Sequence, residues 1–527
     1  SLHDALPIFP VFCMPSGLSA PIVKSYKHAG LLNTDLFSIW RTEYGAGLGA
    51  VGFSCSTGKA SLLVLAAGPG ITNAITAVKQ AFEESLPVIV LEINNFSSVL
   101  NRRVGSMHEI PDSTVFFTSI TCWQQKITDA RDFYEVLSDS IEKASLENSP
   151  IYLEIANDVL MKVEECEIPL TVSGVHRKHC CELTDEFIDD LIESSRPIII
   201  AGYGTVLSKC VSDVEKLASM LNVPLVLTIK AVSYYQNTVQ NCGAILDRIL
   251  TVEQLAEECD LVIVLGSSFS YLNTANNRLK FGGKIYRFII QEPFETMYDI
   301  TDFRSDASLA TKSLIDLINR KVPPKNYVCP FELIKKQKDI FEKETNDVIY
   351  YMDILQTYFS ENAMFVFDLC LQTYIFQRVW NTAKQQRFVL SFSWGNLGSS
   401  LPMSIGMLIT GAENRVVCIC GDGGLSYSIG DLSLLDRIDP DKRKLTIVMF
   451  NNYSFGTLTQ LTNDDSYSVS NPDYDKLASA FGLHYRLADE NNFTEIIKEC
   501  TYIKNSHCFI EVRVSKDPIL FNKLRYK

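Results

Sequence analysis

The sequence predicts an α/β protein of three doubly wound, parallel-sheet domains, and three observations lead there. The chain has 527 residues, enough for about three domains at roughly 150 residues each. Short runs of Leu, Val and Ile alternate with stretches of helical spacing, the pattern of strands joined through helices into parallel sheets. That alternation restarts twice, each time after a stretch of different composition.

In the first unit, residues 61–67 and 87–93 predict buried strands, 71–85 a helix between them, and 151–155 the last strand. The chain opens on Ser1 rather than Met, and residues 1–8 carry no weight in this reading. Residues 160–188, rich in Glu, Lys, His and Cys without a sustained period, predict a linker. The second unit follows, with strands at 197–201, 224–228 and 261–265 and a helix at 212–221. Residues 320–344 hold Val322-Pro323-Pro324-Lys325 and then a charged helix-like stretch, and predict a second linker. The third unit has strands at 364–367, 415–420, 445–450 and 508–512. The expected domains are therefore 1–165, 185–322 and 345–527, with no short-period repeat.

Composition narrows the function classes. Hydrophobic residues at 46% and charged residues at 21% describe an ordinary globular chain, which excludes disordered and collagen-like classes. No apolar run approaches the ~18 residues that span a bilayer, and no charged start precedes an apolar core. The formal charge of −14 comes without a Lys/Arg tract longer than Arg443-Lys444 and its neighbours, so a phosphate-backbone binder is not expected. Fifteen cysteines, several inside apolar runs such as Val416-Val417-Cys418-Ile419-Cys420, fit buried thiols in a reducing compartment. The expectation is a cytoplasmic protein with neither nucleic acid nor a membrane as partner.

The motifs that carry chemistry cluster in the third unit. The strand at 415–420 runs into Gly421-Asp422-Gly423-Gly424, and the strand at 445–450 runs into Asn451-Asn452. Ligands in open parallel sheets bind beyond the carboxyl ends of strands, and both polar clusters sit there. Glycines let backbone N–H groups approach an anion, and a helix following Gly424 would turn its positive end toward a phosphate. Asp422 and Asn452 offer hard oxygen ligands of the kind Mg²⁺ takes beside phosphate oxygens. A lone Gly-Asp-Gly is usually a turn and a lone Asn-Asn usually a loop; the two together, with 27 residues between them and each after a buried strand, are far more specific. A magnesium–diphosphate site follows from these residues alone.

Gly-Asp-Gly followed at this distance by Asn-Asn resembles the thiamin diphosphate motif, and the whole chain resembles the acetolactate synthase / pyruvate decarboxylase family of thiamin-dependent enzymes. Arg41-Thr42-Glu43-Tyr44-Gly45-Ala46-Gly47 resembles the segment carrying that family's cofactor-activating glutamate. Gly68-Pro69-Gly70-Ile71-Thr72-Asn73-Ala74 resembles the Gly-Pro-Gly-x-x-Asn turn and helix that follow it, and Asn157-Asp158-Val159 the segment closing that domain. The resemblance implies a pyrimidine-binding domain, a middle domain and a diphosphate-binding domain in this order. It implies Mg²⁺ held by Asp422, Asn452 and the carbonyl of Ser454. Gly68, Pro69, Asn73, Gly421, Gly423, Gly424, Asn451 and Ser454 would line the cofactor. Leu397, in Ser393-Trp394-Gly395-Asn396-Leu397-Gly398-Ser399-Ser400-Leu401-Pro402, takes the place of the apolar wedge between the cofactor's rings; without the resemblance it would read as core. Glu43, by hydrogen bonding to N1′ of the aminopyrimidine, would favour the imino form that takes the C2 proton. His108, in Met107-His108-Glu109, falls where acetolactate synthases usually carry a glutamine, and is a candidate for proton transfer or substrate contact.

The implied activity is decarboxylation or carboligation of a 2-oxo acid through a C2 ylide and an enamine. The implied partners are a small 2-oxo acid and a second subunit, in a homodimer or a dimer of dimers with active sites between subunits. Alternatives are a simple decarboxylase releasing an aldehyde and a non-catalytic cofactor-binding paralogue. Three departures weigh against FAD and against a housekeeping synthase. Gly266-Ser267-Ser268-Phe269-Ser270-Tyr271 replaces the usual Arg-Phe-Asp-Asp-Arg segment, Ile289-Ile290-Gln291-Glu292-Pro293 lacks paired aspartates, and Phe455-Gly456-Thr457-Leu458-Thr459-Gln460-Leu461 lacks the usual Met and Trp. The run His176-Arg177-Lys178-His179-Cys180-Cys181 looks superficially metal-binding, but it has no second ligand cluster and its own cations repel a metal, so no structural zinc is expected.

Overall fold

Central strands of six to eight residues with every side chain buried set the architecture: β3 (Ser61–Ala66), β4 (Val88–Asn94), β6 (Ile151–Ala156) and, later, β15 (Lys444–Asn451). Strands covered on both faces are the mark of parallel sheets lined with helices. The computed structural model describes residues 9–162, 181–236, 245–246, 253–271, 273–274, 276–291, 296–325, 327, 331–462 and 464–515. Most of the His176–Cys181 run, and Glu292 with Pro293, lie outside the described residues.

The first sheet is completed by β1 (Val11–Cys13), β2 (Phe37–Ile39) and β5 (Trp123–Ile127), in the order β2-β1-β3-β4-β6-β5. The second contains β7 (Pro197–Ala201), β8 (Leu225–Leu227), β9 (Leu261–Leu265), β10 (Lys284–Ile289) and β11 (Ile300–Arg304), in the order β11-β10-β9-β7-β8. The third holds β12 (Met364–Phe367), β13 (Arg387–Leu390), β14 (Arg415–Gly421), β15, β16 (His484–Ala488) and β17 (Cys508–Arg513), in the order β13-β12-β14-β15-β17-β16. The first and third sheets thus share one topology. In each, strand order reverses beside the first strand, between β1 and β3 and between β12 and β14. Such switch points are where connections diverge and leave a crevice. The Gly68 turn follows β3 and the Asp422 turn follows β14, so each motif stands at its sheet's switch point.

The chain divides into two compact units. One holds the first sheet and the third, apart from residues 374–388; the other holds the second sheet. Inside the first unit two helices cross almost backbone to backbone, Glu43–Thr57 from the first sheet's region and Ser400–Ile409 from the third's. A Cβ on Gly52 would lie 2.3 Å from the Met403 carbonyl oxygen, and one on Gly406 2.3 Å from the Gly49 carbonyl oxygen. Both helices are buried through most of their length, which is why their apolar residues show no one-sided stripe.

In the second unit, the helix Asp185–Glu193 begins inside the expected linker, capped by the Thr184 hydroxyl, which accepts from Phe187 N at 3.3 Å. The second expected linker is half helical, with Phe331–Glu344 forming a helix. Arg287 on β10 is 2% exposed, pairs with Asp302 on β11 (Nε–Oδ1 2.6 Å) and donates to the carbonyl of Ser268. A buried arginine therefore braces the loop after β9, the segment that departs from the family pattern. No helix among the described residues is long and apolar enough to cross a membrane.

Glu92 on β4 lies fully buried opposite Glu154 on β6, accepting from the hydroxyls of Tyr152 and Ser113, while Lys126 on β5 pairs with Glu154 at 3.1 Å. Burial pushes the Glu92 carboxyl up to about 7, helped by Glu154 and opposed by the Tyr152 and Ser113 hydrogen bonds. The native state then keeps a proton that the unfolded chain releases, so this group's contribution to stability falls as pH rises from the ordinary value of 4.5 to about 7. Glu92→Gln should gain on wild type across that window, by about 1–3 kcal/mol at pH 8, read from denaturant unfolding at a series of pH values. At the helix crossing, Gly52→Val should lower the thermal midpoint by several degrees, a cost of about 1–3 kcal/mol for overpacking. Gly430→Ala, where a Cβ meets nothing within 4 Å, should leave that midpoint unchanged.

Candidate active site

The site begins where β2 ends. Thr42 caps the Glu43–Thr57 helix, its hydroxyl accepting from Gly45 N at 2.9 Å, and this places Glu43 in the helix's first turn. Glu43 is half-buried, and its carboxylate accepts from Asn73 Nδ2 at 3.2 Å. Asn73 belongs to the Pro69–Glu83 helix, which opens directly after Gly68. Gly68 has φ +74°, and a Cβ there would meet the Cβ of His108 at 2.8 Å. His108, itself at φ 64°, is exposed beside that turn. Glu43, Gly68, Pro69, Asn73 and His108, read separately from sequence, thus form one cluster.

The residue after Glu43 makes the link to the third sheet. Tyr44 Oη donates to the carbonyl of Leu397 at 2.6 Å and accepts from Asn396 Nδ2 at 3.1 Å. Burial raises the Tyr44 hydroxyl to about 12, so it stays a neutral donor. Leu397 is half-buried in a loop tied from behind by Asp368, the first residue after β12. Asp368 is 1% exposed and accepts from Leu369 N (2.8 Å), Gly398 N (3.1 Å), Ser400 N (3.2 Å) and Ser400 Oγ (3.0 Å). Burial raises its pKa, and those donors oppose the rise. Gly398, at φ +74°, passes so close to the Asp422 turn that a Cβ on it would meet the Tyr427 Cβ at 2.4 Å and the Gly424 carbonyl oxygen at 2.8 Å. A continuous path therefore runs from Glu43 through Tyr44, Leu397 and Gly398 to Gly424. The glycine-lined helix crossing is what permits the approach.

At the far end, Gly421 on β14 is opposite Phe450 on β15, so Asp422 and Asn451 emerge side by side. Asp422 is 2% exposed, and burial raises its pKa against a 2.6 Å hydrogen bond from Asn471 Nδ2. Asn452 Oδ1 accepts from Ser454 N at 3.2 Å, and Ser454 Oγ shares a 2.6 Å hydrogen bond with Thr459 Oγ1. Asn451 is buried, with Nδ2 donating to Glu511 Oε1 at 2.8 Å and Oδ1 accepting from Tyr453 N at 3.0 Å, which makes it a brace of the loop. The helix expected after Gly424 is instead a single turn, Asp422–Leu425, too short to present a useful dipole. Gly423 and Gly424 serve as contact faces there, toward the Phe455 ring and the Asp368 carboxylate.

The donor set suits the implied metal. No group of three or more His, Cys, Asp or Glu side chains among the described residues could hold an ion by itself. One carboxylate, one amide oxygen and one carbonyl, leaving positions for phosphate oxygens and water, is what Mg²⁺ accepts. Sequence reading missed Tyr44, Asp368, Asn471 and Asp431. Asp368 had a signal, an acid directly after an apolar strand, as in Asp422. Asp431 lies buried against Gly45, with Oδ1 lacking a hydrogen-bond partner, and burial raises its carboxyl to about 7 while Arg41 opposes the rise.

Comparison with known proteins matches all three regions of the chain to one family. Residues 10–114 match the thiamine pyrophosphate enzyme N-terminal TPP binding domain, 184–292 the central domain of the same family and 370–512 its C-terminal TPP binding domain. The chain is 24% identical to the acetolactate synthase large subunit of Lactococcus lactis, over 96% of this chain and 90% of that one. It is 23% identical to the sulfoacetaldehyde acetyltransferase of Rhodobacter capsulatus, over 84% and 81%. Among solved structures, it resembles the Rhodococcus jostii thiamine diphosphate-dependent 4-hydroxybenzoylformate decarboxylase with a TM-score of 0.74, 19% identity and 98% coverage of both chains, a likeness of fold.

If Tyr44 holds the Leu397 loop, Tyr44→Phe should cost about 1 kcal/mol of stability. Backbone amides of residues 396–398 should exchange faster with deuterium in this variant, while amides of β14 stay unchanged.

Proposed function

We propose that this chain, which belongs to the thiamine pyrophosphate enzyme family, is a magnesium- and thiamin diphosphate-dependent carboligase or decarboxylase acting on a small 2-oxo acid. Bound thiamin diphosphate supplies an acidic carbon and an electron sink for loss of CO₂ from such acids. The observation that carries the reading is the path from the Glu43 carboxylate, through Tyr44 and Leu397, to the turn that holds Asp422.

In this reading each end of the path has one task. Glu43, steadied by Asn73, would hydrogen-bond to the ring nitrogen of the pyrimidine. Gly68 and Pro69 line that end. The Leu397 side chain supplies the apolar wedge, its backbone fixed by Tyr44 on one side and Asp368 on the other. Asp422, Asn452 and the Ser454 carbonyl hold Mg²⁺, with Gly421, Gly423 and Gly424 beside the diphosphate and Asn451 bracing them. His108 stands next to Gly68, where an imidazole can pass a proton or meet the substrate near neutral pH. FAD forms no part of the proposal. A homodimer or dimer of dimers and a cytoplasmic setting do.

A CO₂-release screen over 2-oxo acids, with thiamin diphosphate and Mg²⁺ added, tests the activity. Glu43→Gln should lower turnover by about 10²–10⁴-fold, the scale of a lost acid–base group. Equal release by wild type and variant from every acid would remove the catalytic reading and leave the cofactor-binding paralogue. Incubation with pyruvate and an added aldehyde then separates the outcomes: a hydroxyketone or acetohydroxy acid means carboligation, free acetaldehyde means decarboxylation.

A further inference from the structure

Between the ends of β14 and β15 a third segment reaches in. Asn471 precedes the Tyr474–Ala480 helix, and its Nδ2 donates to Asp422 Oδ2 at 2.6 Å and to Asn451 Oδ1 at 2.9 Å. Both partners are oxygens with no hydrogen to offer, so only the NH₂ end of the amide can face them, one N–H to each. Asn451 is oriented just as strictly, since its Nδ2 meets the Glu511 carboxylate at 2.8 Å. Glu511 Oε2 in turn accepts from Tyr485 Oη at 2.7 Å. A chain of four hydrogen bonds thus runs from β16 through β17 and β15 to the carboxylate that follows β14. Asp422, Asn451 and Glu511 are all at most 3% exposed, so solvent does little to loosen it.

We infer that Asn471 is the positioning residue that fixes the metal-facing oxygen of Asp422. The inference rests on the proposed role of Asp422 as a magnesium ligand. By engaging Oδ2, Asn471 is the side chain that sets the carboxylate plane, beside the backbone hydrogen bonds Asp422 receives from Gly423 and Tyr453. Partners of this outer kind change metal affinity by about 10–100-fold when removed.

Titration of the full chain with Mn²⁺ in the presence of thiamin diphosphate, following free Mn²⁺ by electron paramagnetic resonance, tests this. Asn471→Leu keeps the volume and removes both donors; Asn471→Ala is the second variant should the first fail to fold. The expected result is a Kd for Mn²⁺ raised at least about tenfold, with the metal-free thermal midpoint within about 3 °C of wild type. Tyr485→Phe, at the far end of the chain of bonds, should stay within about threefold of wild type, because the contact at Asp422 survives. A folded Asn471 variant that binds Mn²⁺ as tightly as wild type, while Asp422→Ala has lost binding, overturns the inference and leaves the function standing. If Asp422→Ala also binds Mn²⁺ normally, the magnesium site itself is wrong.

Discussion

The candidate site depends on one close helix crossing. Gly52 on one helix faces the Met403 backbone, and Gly406 on the other faces the Gly49 backbone, so no side chain lies between them there. That proximity carries the first turn of the Glu43 helix to the loop preceding Ser400, and Tyr44 can then reach the Leu397 carbonyl. A side chain at Gly52 or Gly406 would push the two elements apart by more than a hydrogen bond tolerates.

Buried acids are the second constraint. Asp368, Asp422 and Asp431 are spread along the path from Glu43 to Asp422 with almost no exposure, and burial raises the pKa of each. Asp368 is offset by four donors and Asp422 by Asn471, while one oxygen of Asp431 has no partner. Acids kept in this way store unfavourable electrostatics that a divalent cation can relieve. The polar chain behind Asp422 shows how orientation is held in such surroundings: Asn471 offers its hydrogens to Asp422 and to the Asn451 oxygen, and Asn451 offers its own hydrogens to Glu511.

The repeated topology gives two remote motifs equivalent places in their sheets. The first and third sheets have the same strand order and the same switch point, and each places its glycine turn there.

The amino-acid sequence by itself determined the three-sheet class, the central strands and the Gly-Asp-Gly and Asn-Asn turns, because burial on both faces writes unbroken apolar runs and strand ends write abrupt polar ones. It was silent on edge strands such as β5, where Gln125 and Lys126 face solvent and break the run. It pointed to Glu43, Asn73 and His108 one by one through local resemblance, yet their meeting around Gly68 required the fold. Tyr44 and Asn471 were illegible for a physical reason. Each acts through a single hydrogen bond, or a pair, to residues remote in sequence, and a lone Tyr in a helix or Asn before a Pro carries no periodic or motif signal. Only tertiary structure, by choosing which backbones cross without side chains between them, decided that these residues face the site.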